Sequence, residues 1–184
     1  HRPLSPDEVG VIAVPHGSEY NWNETMREGL APLTDDYRIA EAFSMVDPVV
    51  VERAVRQLED EGYKAAVMVR IFSMESNFQE KSHYILGLQD SFGTSIMGVS
   101  FPERIRTHLQ MTTLGGLEAS PHFAKGLLDR AQAISTDPSD ETVLLLAHGT
   151  GSDEKNAHWM ENLRTIADTM RAHGGDAFRD IKVH

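Results

Sequence analysis

Residues 9–18 read VGVIAVPHGS, and residues 142–150 read TVLLLAHGT. Each stretch is a short continuous apolar run that stops at His-Gly and a hydroxyl residue, Ser18 or Thr150. Such a run, closed by a turn, is the pattern of a strand buried on both faces of a sheet. Each copy is followed by an asparagine, Asn23 or Asn156, and by an amphipathic segment bearing a tryptophan. Trp22, Met26, Leu30 and Leu33 recur at helical spacing in the first copy, and Trp159, Leu163, Ile166 and Met170 in the second. Tyr37-Arg38-Ile39 then matches Phe178-Arg179-Asp180-Ile181. This is an internal repeat of a β/α unit, and the second copy is expected to be incomplete because the sequence reaches only its second strand.

Outward from the first copy, Arg38 to Phe43 is a second apolar run. Asp47-Pro48 has the form of an N-cap with proline in the first helical turn. Val51, Ala54, Val55 and Leu58 mark one helical face, and Gly62 suits its C-terminal end. Ala65 to Phe72 is a third strand. Ser76 and Gln79 have capping-box spacing and open a helix through Phe78, Ile85 and Leu86. From Gln89 to Gly116 the period loosens. Ser120-Pro121 starts a helix carrying Phe123, Leu127, Ala131 and Ile134, and Asp137-Pro138 is a turn before the strand at 142–147. Strands alternating with helices imply right-handed crossovers and a parallel sheet with helices on both faces. The expected architecture is α/β, with flavodoxin-like lobes: a first lobe over 1–90, a connecting segment with a helix over 91–139, and the start of a second lobe over 140–184.

The 184 residues carry 28 acidic and 17 basic side chains, a formal charge of −11, and no cysteine. Zero cysteines exclude a disulfide framework, a thiolate zinc site and a cysteine nucleophile. The acidic balance argues against a nucleic-acid or anionic-membrane binder. No apolar run approaches the roughly 20 residues of a membrane helix. Nine histidines remain as the source of metal or acid–base chemistry. The sequence opens on His1, so an upstream segment, a removed signal peptide included, stays an open expectation.

In open α/β sheets ligands sit outside the carboxyl ends of the strands. His16 and His148 both fall there. The glycine after each lets backbone and ligand approach closely, and the hydroxyls of Ser18 and Thr150 are placed to cap the next helix. Glu75 lies just past the third strand. If strands one and three are neighbours they run about 4.8 Å apart, and His16 and Glu75 can converge on one metal or one proton. An imidazole and a carboxylate with open positions suit Co²⁺, Fe²⁺, Ni²⁺ or Zn²⁺.

The strand-HGS-Asn opening, Ala42-Phe43, Asp47-Pro48 and the stretch AVMVRIFSMESNFQEKSHYILGL together resemble the sirohydrochlorin chelatases of the CbiX/SirB type. VLLLAHGTG resembles the repeat of their two-lobe members. The resemblance covers roughly residues 9–88 and 140–184. It implies a cytoplasmic enzyme of cobalamin or siroheme biosynthesis that inserts Co²⁺ or Fe²⁺ into an anionic tetrapyrrole without ATP. The divalent metal is then a substrate, no organic cofactor is needed, and a homodimer is one arrangement left open. By that resemblance His16 holds the metal and helps accept pyrrole protons, with the macrocycle between lobes. Glu75 stands where the family supplies a second histidine, His83 being the other option, and His148 is a further metal ligand. Ser18, Asn23 and Arg70 are the substrate-binding candidates, and Lys81, Arg104, Arg106 and Lys125 are further cations for a carboxylate-rich ligand.

Each of these residues has a plainer reading. A histidine ending a strand is commonly a hydrogen-bonded structural residue, and a carboxylate beside a helix N-terminus stabilises the dipole without a metal. Trp22 and Trp159 fit core packing better than macrocycle stacking. Two other functions compete: a metal or tetrapyrrole carrier without turnover, and a histidine phosphatase. The phosphatase motif has an arginine before its histidine; here Pro15 and Ala147 stand in that place, so the phosphate clamp is missing.

Overall fold

The computed structural model describes residues 2–93 and 102–184, in two compact units, 1–116 and 117–184. In the first, β1 (Val9–Pro15), β2 (Ile39–Glu41), β3 (Ala65–Ile71) and β4 (Gln110–Gly115) form one parallel sheet in the order β2-β1-β3-β4. Val11 pairs with Ile39 on one side of β1 and with Val67 on the other. The helices α1 (Tyr20–Leu30), α2 (Pro48–Asp60) and α3 (Gln79–Ile85) connect successive strands. The α/β class and the flavodoxin-like strand order are therefore those read from the repeat and its spacing.

α2 forms as its sequence dictates. Asp47 Oδ1 accepts from the backbone N–H of Val49 (2.9 Å) and Val50 (3.2 Å), and Pro48 fills the first turn, where no N–H is missed. Val51, Ala54, Val55 and Leu58 are all buried, packed in one core with Ile12, Val14, Met68 and Ile85. Full burial of such side chains contributes about 1.5–3 kcal/mol each, so this face anchors the unit. At Gly10 a Cβ would meet Leu58 Cδ1 at 2.7 Å, so glycine lets α2 lie close on β1. The reversal of strand order at β1 sends α1 to the opposite face.

Some local expectations are corrected. The Ser76–Gln79 capping box does not form: Phe78 takes a left-handed conformation (φ 56°) at the helix start and provides no side-chain cap. Neither Ser18 nor Thr150 caps a helix. α1 begins after Glu19 without a side-chain cap, and Ser152 caps the later helix. α1 carries no buried residue, and Trp22 is 37% exposed rather than a core residue. β4 lay unseen in the loosened stretch, and residues 94–101 of the expected connecting segment lie outside the described residues.

The second unit contains α4 (Pro121–Ile134), β5 (Thr142–Leu145), α5 (Asp153–Ala172) and β6 (Asp180–Val183), with β5 and β6 parallel. Its core joins Ala124, Leu128, Leu145, Leu163, Ile166, Met170, Phe178 and Ile181. α4 thus packs with the second unit and β4 pairs within the first, so the compact units divide at 116/117 instead of at 90 and 139. Among the described residues helices cover one face of β5, that of Val143 and Leu145. Leu144 and Leu146, in a run that read as doubly buried, are 53% and 66% exposed, and Ile134 is exposed at the end of α4.

Candidate functional site

The first crossovers leave β1 and β3 in opposite directions, so the gap between their carboxyl ends is the topological switch point, where open sheets bind ligands. Pro15 pairs with Ile71, so His16 and Phe72 leave the sheet side by side, with ring centroids 6.3 Å apart and planes at 69°. His16 is exposed. Its Nδ1 lies 2.7 Å from the carbonyl oxygen of Gly17. A carbonyl only accepts, so in the neutral ring the proton sits on Nδ1 and the Nε2 lone pair is left for a ligand.

The turn that presents this ring is fixed locally. Gly17 has φ 78°, and a Cβ there would press on Phe43 at 3.3 Å. The Asn23 amide clamps the turn from both ends: Oδ1 accepts from Ser18 N–H (2.9 Å) and Nδ2 donates to Ser18 O (3.2 Å). Asn23 therefore shapes the turn with its amide engaged, while Ser18 stays exposed beside His16.

Aromatic side chains flank the histidine. Phe72 packs on Phe78 at 4.9 Å, and Trp22 meets Phe43 edge-on at 6.4 Å. The Arg27 guanidinium lies 4.8 Å over the Phe43 ring and is tied to Glu41 and Glu24. Tyr20, Met45 and Val49 add exposed apolar surface on the segments after β1 and β2. All four strand exits carry left-handed backbone: Gly17, Val46 (φ 54°), Phe78 (φ 56°) and the Gly115–Gly116 pair. Val46 is β-branched and fully buried, so this strain is held by packing.

Glu75 is exposed on the loop after β3, three residues beyond Phe72. Arg70 does not reach outward as a substrate cation. It is 2% exposed, and Nη1 donates to the carbonyls of Glu75 (2.5 Å) and Asn77 (2.7 Å) of that loop. Burial lowers its pKa, opposed by the charge of Glu75, and an arginine stays charged regardless. Lys81 donates to Met45 O at 3.1 Å, joining α3 to the loop after β2; burial lowers its pKa and Asp47 opposes the shift. Arg104 binds the carbonyls of Gln89 and Asp90, Lys125 pairs with Asp129 in the second unit, and Arg106 is exposed. His83 is half-buried on α3.

His148 repeats the turn in the second unit. Its Nδ1 lies 2.6 Å from Gly149 O, Gly149 has φ 69°, and Asn156 clamps Thr150 at 2.6 and 2.9 Å. Its ring meets Trp159 edge-on at 4.8 Å. The asparagine after each His-Gly was the signal in the sequence for this clamp. Nothing in the pattern signalled the Arg70 contacts or the fit of Gly115–Gly116 against the loop after β3.

Among the described residues no group of three or more histidine and carboxylate side chains is placed to hold a metal ion. What the first unit offers is one exposed imidazole, with the exposed Glu75 on the loop after the neighbouring strand. No helix among the described residues is long and apolar enough to cross a membrane. Comparison of the chain with family models, curated proteins and solved structures finds no match.

Proposed function

We propose that the protein inserts a divalent metal, Co²⁺ or Fe²⁺, into a sirohydrochlorin-type tetrapyrrole, with His16 as the metal-holding base. The observation that carries this reading is the His16 imidazole, exposed at the switch point, its Nδ1 bonded to Gly17 O and its Nε2 lone pair free of that bond. Both metal and substrate enter and leave, so a site with open positions and few protein ligands suits the task better than a closed one. The reaction releases two protons, M²⁺ plus the free-base macrocycle giving the metallated macrocycle and 2 H⁺. His16 Nε2 and the Glu75 carboxylate are the groups that take them. The flanking Trp22, Phe43 and Tyr20 rings supply apolar surface for a planar ligand. Lys81, whose ammonium reaches the loop after β2 at Met45 O, is the cation offered to the ligand's carboxylates.

A carrier without turnover is the second reading, favoured by the lack of a third ligand among the described residues. The test incubates the protein with sirohydrochlorin and Co²⁺ or Fe²⁺ and follows the absorbance change, with a His16→Ala variant and a phosphomonoester control. Insertion above the metal-only blank that is lost in His16→Ala supports the chelatase. Stoichiometric binding without turnover supports the carrier, and phosphate release contradicts both.

A further inference from the structure

Arg70 is a buried charged side chain that the insertion chemistry does not touch. It points from β3 beneath the loop that follows its own strand. Nη1 bonds the carbonyls of Glu75 and Asn77, and Nε donates to Thr113 Oγ1 at 3.3 Å. Thr113 in turn donates to Met68 O at 3.0 Å, so the guanidinium is braced against β3 and β4 together. From the side, the end of β4 closes on the same loop. Gly116 N–H donates to Arg70 O at 3.2 Å. A Cβ on Gly116 would stand 2.3 Å from the backbone nitrogen of Glu75 and 2.4 Å from its Cα, and one on Gly115 would stand 2.3 Å from Arg70 O. The Glu75 backbone is therefore held by a guanidinium beneath and by bare glycine backbone alongside.

A buried guanidinium is costly unless its donors are satisfied. A surface loop that merely links β3 to α3 needs no such support, because its carbonyls would be satisfied by water. Here the charge is buried under the loop that carries the exposed Glu75, on the strand exit next to that of His16. We propose that Arg70 is a positioning residue, which fixes the backbone of Glu75 and thereby the place from which that carboxylate serves the metal at His16. This rests on the reading of His16 and Glu75 as a metal-holding pair. It predicts that Arg70 acts through Glu75, so that the two cannot be lost twice.

The experiment measures Co²⁺ affinity by calorimetry and insertion rate by absorbance, in a His148→Ala background that leaves one imidazole turn. The variants are Arg70→Met, Arg70→Lys, Glu75→Gln and the Arg70→Met/Glu75→Gln pair. Glu75→Gln and Arg70→Met each weaken Co²⁺ binding about tenfold, as loss of a supporting partner at a metal site does. The double variant is no weaker than either single, the non-additivity of groups that act as one. Arg70→Lys recovers part of the loss. If Arg70→Met fails to fold, Gly116→Ala displaces Glu75 from the other side and gives the same loss, again non-additive with Glu75→Gln. Additive losses, or a Glu75→Gln variant that binds Co²⁺ like its parent, overturn the proposal. Absent insertion with coupled Co²⁺ binding removes the reaction and leaves the positioning role standing; insertion with additive losses does the reverse.

Discussion

His16 and His148 leave their strands through the same turn and stand on different foundations. Both rings bond the following glycine carbonyl through Nδ1, both glycines are left-handed, and both turns are clamped by an asparagine amide. Beneath His16, β1 is a central strand whose Ile12 and Val14 are 0% exposed under α2 and α3. Beneath His148, the matching Leu144 and Leu146 of the β5 run are 53% and 66% exposed. Gly10, which admits Leu58 of α2, corresponds to Thr142, which is exposed. The turn is thus a local device specified by the eight or nine residues from its histidine to its asparagine. The surroundings that would make it a reactive site, a neighbouring strand exit with a carboxylate and a floor of aromatic rings, come from the rest of the first sheet.

The largest expected difference between the units is in their strands. Ile12→Ala costs about 2–5 kcal/mol in urea unfolding, because a core methyl cluster under α2 is emptied. Leu144→Ala stays within about 0.5 kcal/mol, as for a surface change. Equal costs would mean that the β5 face is covered in solution. Next comes the strand glycine: Gly10→Thr costs about 1–3 kcal/mol by overpacking against Leu58, whereas Thr142→Gly costs about 0.5–1 kcal/mol through backbone freedom alone.

The turns should respond alike. Asn23→Ala and Asn156→Ala each cost about 1 kcal/mol for the lost backbone bonds, read from denaturation of each variant; a loss at one turn only would break the equivalence. The smallest effect is read at a carboxylate of the first unit. Glu8 is held down to about 2, from an ordinary 4.5, by its hydrogen bonds to Arg2 and then to Ser5. Its stabilisation is full above the ordinary carboxylate range and is lost as pH falls toward the folded value. The melting difference between the parent and Glu8→Gln is therefore present at pH 7 and closes between pH 4.5 and 2. A gap that widens on acidification would contradict the pairing.

Much of this was legible in the residues, and the gaps have physical causes. Asp47-Pro48 and the Val51–Leu58 face are local signals with one outcome, and they formed as read. β4 was hidden because an edge strand with alternating exposure, Gln110-Met-Thr-Thr-Leu-Gly, needs no apolar run. The β5 run misled in the opposite sense: a continuous apolar stretch says nothing about whether helices cover one face or two. Arg70 read as an outward cation because spacing places a residue on a strand but not the path of a long side chain beneath the next loop. In place of the capping box at Ser76, α3 starts at Phe78, which turns left-handed and packs its ring on Phe72. The His-Gly-Asn repeat was the best guide to the candidate site, since its geometry is made within one turn.

The decisive measurement is the initial rate of Co²⁺ insertion into sirohydrochlorin by the parent chain, His16→Ala and His148→Ala, side by side. If the reactive imidazole is the one at the switch point of the four-stranded sheet, His16→Ala falls to the metal-only blank and His148→Ala keeps most of the parent rate. Equal retention in both variants, or loss confined to His148→Ala, would contradict the assignment of His16.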